Sequence, residues 1–107
     1  MTIPAITVKE LKQKLDANEV AMLLDVREVV EHETARIEGS QLIPLKLLPT
    51  RIADVPKDGL VVIHCHHGGR SGQAVEYLRA QGFNNVVNLT GGIHAWSLEI
   101  DPSVPTY

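Results

Sequence analysis

The chain has 107 residues, a net charge of −3 with its histidines neutral, 44% hydrophobic residues and 21% charged residues. This composition is typical of a globular domain, and a chain of this size buries roughly two-thirds of its unfolded surface without disulfides or metal ions. The acidic balance and the lack of a basic stripe argue against nucleic acids and anionic membranes as partners. We therefore expect one domain over residues 1–107.

Cellular location follows from three further features of the sequence. The longest apolar runs, such as Leu60–Ile63, have about four residues, whereas a membrane-spanning helix needs about 20. The charged residues Lys9, Glu10 and Lys12 follow the N-terminus too closely for the apolar core of a signal peptide. A single cysteine excludes an internal disulfide. We therefore expect a cytoplasmic protein.

Helical and extended patterns alternate through the first half of the chain. Thr7 and Glu10 have the spacing of a capping box, which predicts a helix through about Ala17 with Val8 and Leu11 on its inner face. The other elements predicted in this half are an extended segment at Ile3–Ile6, a buried strand at Ala21–Val26, a short charged helix at Glu28–Thr34, a brief strand at Gln41–Ile43 and loose helical turns within Leu45–Val55.

The second half contains the clearest strand, Leu60–Ile63, which is rich in β-branched residues and follows turn residues. A helix from Ser71 to Gly82, a strand at Asn85–Leu89, a short helix after Gly91-Gly92 and an extended tail at Asp101–Pro105 are predicted after it. This alternation predicts an α/β fold with a mostly parallel sheet. Ligands bind such sheets at the carboxyl ends of strands, so the segment after Ile63 is the expected site of chemistry.

That segment reads His-Cys-His-His-Gly-Gly-Arg-Ser-Gly from residue 64 to residue 72. Gly68 and Gly69 allow successive amides to point inward as an anion-binding nest, and the following helix adds its positive end. Cys65 at the base of this nest should have a lowered pKa and react as a thiolate, with Arg70 as a permanent cation beside it. Most free cysteines are merely small buried side chains, but this placement favours a nucleophile.

Two chemistries suit a cysteine and an arginine around an anion nest: phosphoryl transfer through a thiophosphate, and sulfur transfer through a persulfide. Loops of the tyrosine-phosphatase type have five residues between the cysteine and the arginine. Four residues, 66–69, separate Cys65 from Arg70 here. The smaller ring favours a terminal sulfur over a phosphate.

The loop from Cys65 to Ser71 resembles the active loop of single-domain rhodaneses, the thiosulfate sulfurtransferase family. Three flanking motifs in the same order extend the resemblance over residues 5–105, the expected core of the domain. Arg36 and Ser40 stand where this family commonly has histidine and alanine. The matching motifs are Leu24–Glu28, Arg36–Ser40 followed by Ile43–Leu45, and Leu89–Gly92 followed by Trp96.

The resemblance implies a rhodanese-like three-layer α/β/α domain with a mostly parallel central sheet of about five strands. It also implies a double displacement through a Cys65 persulfide, without a cofactor, from a small anionic donor such as thiosulfate to a thiol, cyanide or a sulfur-carrier protein. Cys65 is the expected catalytic residue. The expected substrate-binding residues are His66, His67, Gly68, Gly69, Arg70 and Ser71. The alternatives are a cysteine-dependent phosphatase or arsenate reductase on the same fold, and a binding module without catalytic activity.

The remaining polar residues have plainer interpretations. Neighbouring histidines on one segment cannot all face one ion, so we expect no metal site and place His66 and His67 at the rim of the pocket. His64 should point away from Cys65 because strand side chains alternate. Trp96 is expected in the core, and Gly91 and Gly92 in a turn. Asp25, Arg27 and Arg36 are expected to support the loops, with substrate contact as the second possibility.

Overall fold

Five parallel strands form one sheet in the order β1-β5-β4-β2-β3 in this computed structural model, which describes residues 3–107. The predicted domain also includes Met1 and Thr2, which lie outside the described residues. The strands are β1 (Ala5–Ile6), β2 (Val20–Asp25), β3 (Gln41–Leu42), β4 (Leu60–His64) and β5 (Val86–Leu89). The helices are α1 (Val8–Asp16), α2 (Val29–Thr34), α3 (Gly69–Ala80) and α4 (Gly92–Glu99), with 3-10 helices at Leu45–Thr50 and Ile52–Asp54.

Two hydrophobic clusters, one on each face of the sheet, make the fold a three-layer α/β/α structure. Alternate side chains of β4 divide between them, since Val61 and Ile63 join the first cluster and Val62 the second. The first cluster also holds the inner face of α3 and Leu48 from a 3-10 helix. The second holds residues of α1 and α4, including Trp96 at 6% exposure. The expected fold class and the expected core position of Trp96 are both confirmed.

Local signals fix the N-terminus of α1 and the C-terminus of α3, as the sequence predicts. The Thr7 side chain accepts a hydrogen bond from the Glu10 amide at 3.1 Å, and the Glu10 carboxylate accepts one from the Thr7 amide at 2.9 Å, which completes the capping box of α1. After α3, the amides of Gly82 and Phe83 donate to carbonyls of the last turn. This is a Schellman motif, and it fixes the direction of the chain towards β5.

Several predicted boundaries differ from the structure by one or two residues. The helix expected from Ser71 begins two residues earlier, because Gly68 adopts a φ of +128° that turns the loop directly into the first turn at Gly69. The strand expected from Asn85 begins at Val86, and the Asn85 side chain bonds to loop carbonyls. Conversely, β2 begins at Val20, one residue before the predicted start.

The strand order places a switch point between β2 and β4. The chain leaves β2 towards β3 on one side and leaves β4 towards β5 on the other, so a crevice opens where the two carboxyl ends meet. Asp25 and His64 end these strands and are register partners. The segment that begins at Cys65 leaves the sheet at this crevice. Among the described residues, no helix is long and apolar enough to cross a membrane.

Candidate active site

The sulfur of Cys65 lies at the base of the loop that joins β4 to α3. The Gly68 amide donates a hydrogen bond to Sγ at 3.1 Å, and the Ser71 hydroxyl oxygen lies 3.4 Å from the same sulfur. The side chain is 2% exposed, with Gly68 as the N-cap of α3 just above it. The sulfur therefore faces the positive end of a 12-residue helix.

Opposing effects act on the Cys65 thiol. Burial alone would raise its pKa, but hydrogen bonds from Ser71 and from the amides of Gly68, Arg70 and Ser71 outweigh burial and lower the pKa from its ordinary value of 9.0. Three amides and a hydroxyl thus favour the charged form of the sulfur. Such surroundings favour a reactive cysteine, since the thiolate is the reactive form.

Asn88 on β5 orients the donors around this sulfur. Its side-chain amide donates to the Gly68 carbonyl at 3.2 Å, and its side-chain oxygen accepts from the Ser71 hydroxyl at 2.5 Å. Because a hydroxyl has one proton, Ser71 can donate either to Asn88 or to Cys65, and Asn88 is the nearer acceptor. Ionisation of Cys65 makes its sulfur the stronger acceptor, so the same hydroxyl can turn towards it.

The first turn of α4 packs directly on the loop. The amides of Ile93 and His94 donate to the carbonyls of Cys65 and His66 at 3.0 and 3.1 Å. Gly92 makes this approach possible, because a Cβ at that position would lie 2.5 to 2.6 Å from the same two carbonyl oxygens. The Gly-Gly pair therefore does more than the expected turn, because it brings a second helix N-terminus against the backbone of Cys65.

Arg70 is engaged by a carboxylate. Its two terminal nitrogens donate to the two oxygens of Glu31 on α2 at 2.6 and 2.8 Å, a bidentate pair. The pair lowers the pKa of Glu31 to about 2. Arg70 is expected from the sequence to bind an anionic substrate. In the structure its guanidinium group is already paired with the Glu31 carboxylate.

Asp25 and Arg27 form a second bidentate pair, fully buried at the end of β2. Arg27 also donates to the carbonyl of Ala35, which fixes the chain after α2. The Nδ1 atom of His32 lies 2.8 Å from the Asp25 carboxylate. Burial would raise the Asp25 pKa, but the hydrogen bonds from Arg27 are among the contacts that hold it below its ordinary value. These contacts join the end of β2 to α2 and to the chain that follows it.

Tyr107 closes a chain of polar contacts between the two pairs. Its hydroxyl accepts from Arg27 at 2.8 Å and donates to Glu31 at 2.9 Å. Its ring stacks on His66 with centroids 4.0 Å apart and planes 7° apart. The residue is 43% exposed, so it forms an outer wall of the site beside the loop.

Three imidazole rings lie close together, two from the loop and one from α4. The ring centroids of His66 and His67 lie 4.1 Å apart, and His94 lies 5.0 Å from His67 and 5.9 Å from His66. Burial and the two neighbouring rings lower the pKa of His66. Within residues 3–107, no group of three or more metal-ligating side chains is arranged to hold an ion.

Two other expected residues lie away from the sulfur. His64 is fully buried and directed to the face opposite Cys65, since Cys65 shares the first hydrophobic cluster with Val61 and Ile63. Arg36 is exposed, and its side chain takes no part in the ion pairs found among residues 3–107. The structure therefore gives Arg36 no ion pair through which it would support the loops.

The sequence predicts no contribution to the site from Glu31, Asn88, Gly92 or Tyr107. Asn88 could have been recognised from the sequence, because it is the one polar residue in the otherwise apolar Val86–Leu89 strand. Glu31 could not be distinguished from Glu28 and Glu33, which lie on the same short charged segment. The Tyr107 hydroxyl contacts partners 76 and 80 positions away, a separation that no local pattern reveals.

The fold and the cysteine loop together define an α/β domain with a cysteine site at its switch point. A family model described as the rhodanese-like domain matches residues 7–99. The chain belongs to the rhodanese-like domain family, as the sequence motifs predict. Two solved structures agree. A rhodanese-like domain protein from Staphylococcus aureus has a TM-score of 0.84 at 34% identity, covering 98% of this chain and 99% of that one. A rhodanese-related protein from Thermoplasma volcanium has a TM-score of 0.85 at 32% identity, covering 97% and 99%.

Curated relatives support sulfur transfer as the general activity. A protein named sulfurtransferase from Allochromatium vinosum is 42% identical over 89 residues, which are 83% of this chain and 83% of that protein. The Rhodanese-like/PpiC domain-containing protein 12 of Arabidopsis thaliana is 42% identical over 95% of this chain and 36% of its own length. The putative sulfur carrier protein YrkF of Bacillus subtilis is 38% identical over 90% and 52%. The chain thus spans about a third to a half of the length of the last two.

Proposed function

We propose that the chain is a sulfurtransferase that carries a sulfane sulfur as a persulfide on Cys65. The observation that carries this proposal is the set of donors around Sγ, with the Gly68 amide at 3.1 Å and the Ser71 hydroxyl at 3.4 Å. These donors favour an anionic sulfur, whether it belongs to the thiolate or to the persulfide.

The reaction is a double displacement. The Cys65 thiolate attacks the outer sulfur of a donor such as thiosulfate; a bond forms between Sγ and that sulfur, the S–S bond of the donor breaks, and sulfite leaves with the electron pair. A second nucleophile then attacks the outer sulfur of the persulfide, and the electron pair of that S–S bond returns to Sγ. The second nucleophile is a thiol, cyanide or, in a cytoplasmic setting, a sulfur-carrier protein. Neither step needs a cofactor for its balance.

Intact-mass measurement after incubation with thiosulfate tests this proposal. The wild type should gain one sulfur atom and lose it when cyanide is added. Cys65→Ser, a nearly isosteric change, should lower sulfur loading and thiosulfate:cyanide turnover by at least about 1,000-fold, because the nucleophile is removed. Circular dichroism checks that the variant keeps its fold.

The opposite result would identify a different activity. Retained thiosulfate:cyanide turnover in Cys65→Ser contradicts the persulfide mechanism. Robust turnover of p-nitrophenyl phosphate that depends on Cys65 assigns the site to phosphoryl transfer. A wild type that accepts sulfur from no donor is a binding module.

A further inference from the structure

The Glu31–Arg70 pair sets the charge that a substrate meets at the loop. Arg70 belongs to the first turn of α3, next to the amides that face Cys65, and both of its terminal nitrogens bond to Glu31. Sulfur donors such as thiosulfate carry two negative charges. An unpaired arginine would attract them, whereas a pair has no net charge and presents a carboxylate beside the cation.

Glu31 is held in this position by more than Arg70. Its Oε1 atom accepts from the Glu28 amide at 3.0 Å, and its Oε2 atom accepts from the Tyr107 hydroxyl at 2.9 Å. With the two bonds from Arg70, four donors fix the carboxylate, and its side chain is only 18% exposed. A small anion that binds Arg70 must therefore compete with a carboxylate already in place.

The second arginine near the loop offers no substitute. Arg27 is bonded to Asp25 through two nitrogens at 2.9 and 2.7 Å and is fully buried. The groups that can attract an anion are then the loop amides and the N-terminus of α3. These neutral donors stabilise one charged sulfur well, but they neutralise a dianion less than a free arginine would.

We propose that Glu31 is a specificity-determining residue, which disfavours small dianionic sulfur donors and favours donors of lower charge. This inference rests on the proposed sulfur transfer through Cys65. The favoured donors are persulfides and organic thiosulfonates, in which the sulfane sulfur is attached to an organic group. The donors meant are those that carry no more than about one negative charge. Thiosulfate is then an accepted but poor donor.

Benzenethiosulfonate is a matched probe for this idea. The Cys65 thiolate attacks its terminal sulfur, a bond forms to Sγ, the bond between that sulfur and the sulfonyl sulfur breaks, and benzenesulfinate leaves with the electron pair. The same type of bond breaks in thiosulfate, but the donor carries one negative charge and not two. The ratio of kcat/KM for the two donors therefore reports charge selection with the chemistry held constant.

The experiment compares the wild type with Glu31→Gln, which keeps the shape of the side chain and removes its charge. Glu33→Gln, on the exposed side of the same helix, is the matched control. In Glu31→Gln, kcat/KM should rise about ten-fold for thiosulfate and about three-fold for benzenethiosulfonate, because the electrostatic gain scales with donor charge. Glu33→Gln should leave both constants within about two-fold of the wild type, since exposed charges interact weakly.

A double-mutant cycle separates selectivity from structural support. Arg70→Ala leaves Glu31 unpaired, so kcat/KM for thiosulfate should fall by more than ten-fold. Adding Glu31→Gln to Arg70→Ala should recover kcat/KM more for thiosulfate than for benzenethiosulfonate, whereas a purely structural ion pair would recover both donors equally. If Glu31→Gln does not fold, Glu31→Ala also removes the charge and should shift the donor ratio in the same direction.

Two results would overturn the inference. Equal changes for both donors in Glu31→Gln, or a fall in kcat/KM for thiosulfate, would show that Glu31 supports the loop without selecting charge. Failure of both donors to place sulfur on the wild type would instead contradict the proposed function, and the inference would fall with it.

Discussion

His64 is a titratable group that the fold keeps without charge. It ends β4, is fully buried beside the Asp25–Arg27 pair, and neither of its ring nitrogens has a hydrogen-bond partner among residues 3–107. Burial lowers its pKa from 6.5 to about 4. The folded protein therefore protonates His64 at a lower pH than the unfolded chain does. Lowering the pH should consequently destabilise the fold through this residue.

The sign of the effect follows from proton uptake. Below pH 6.5 the unfolded chain binds a proton at His64, whereas the folded chain does so only near pH 4, so stability present above pH 6.5 is lost as the pH falls. We expect urea titrations to show a loss of roughly 2 kcal/mol in unfolding free energy between about pH 7 and about pH 4.5. His64→Leu should flatten this dependence, and His67→Asn at the exposed rim should not. Parallel curves for the wild type and His64→Leu would contradict the assignment.

At the scale of elements, the site depends on how closely two helices approach one loop. α3 begins at Gly69 because Gly68 turns sharply, and α4 begins at Gly92 with a φ of +60°. The first amides of α3 face the sulfur of Cys65, while those of α4 bind the carbonyls of Cys65 and His66. The loop is thus fixed from both sides by helix N-termini, whose amides lack partners within their own helices.

Gly92→Ala should displace α4 from the loop. The added Cβ would lie 2.5 Å from the His66 carbonyl oxygen, and the left-handed backbone adds a steric penalty. We expect a loss of about 3 kcal/mol or more in unfolding free energy, with a fall in sulfur loading of Cys65. Gly39→Ala is the control, because Gly39 has a φ of +86° with no atom within 4 Å of the added Cβ and should lose only about 1–2 kcal/mol. Equal losses in the two variants would show that the close approach has no energetic weight.

The elements themselves could be predicted because their signals are local. The capping box of Thr7, the β-branched run at β4 and the glycine after α3 each act within a few residues. The motif around Cys65 likewise predicted a loop between a strand and a helix with amides directed at the sulfur. The pairing of Arg70 with Glu31 and the approach of Gly92 to the loop could not be predicted, because they depend on distances set by the packed sheet between elements far apart in sequence.

At the scale of the whole molecule, Tyr107 connects distant parts of the chain. It joins Arg27 after β2, Glu31 on α2 and His66 in the active loop. Both of its hydrogen bonds involve charged groups, which are stronger than bonds between neutral groups. The residues after α4 therefore take part in the charge arrangement of the site as well as in its outer wall.

Removing this hydroxyl should weaken the whole fold. Tyr107→Phe keeps the ring that stacks on His66 and loses both hydrogen bonds, so we expect about 1–2 kcal/mol less unfolding free energy in a denaturant titration. Tyr77→Phe is the control, since Tyr77 is the only other tyrosine and its ring packs against the first hydrophobic cluster. A Tyr107→Phe variant as stable as the wild type would mean that these exposed bonds exchange freely with water.

The pairing of β1 with β5 has a consequence for the order of assembly. β1 lies at the edge of the sheet, with Ala5 opposite Asn88, and the Pro4 carbonyl accepts from the Asn88 amide at 2.9 Å. On the ribosome, β2, β3 and β4 can meet while β1 still waits for a partner that is synthesised some 80 residues later. Asn88 also orients Ser71 and Gly68 around the sulfur. Cys65 is therefore synthesised before Asn88, so the donors around its sulfur are fully oriented only after β5 has joined the sheet.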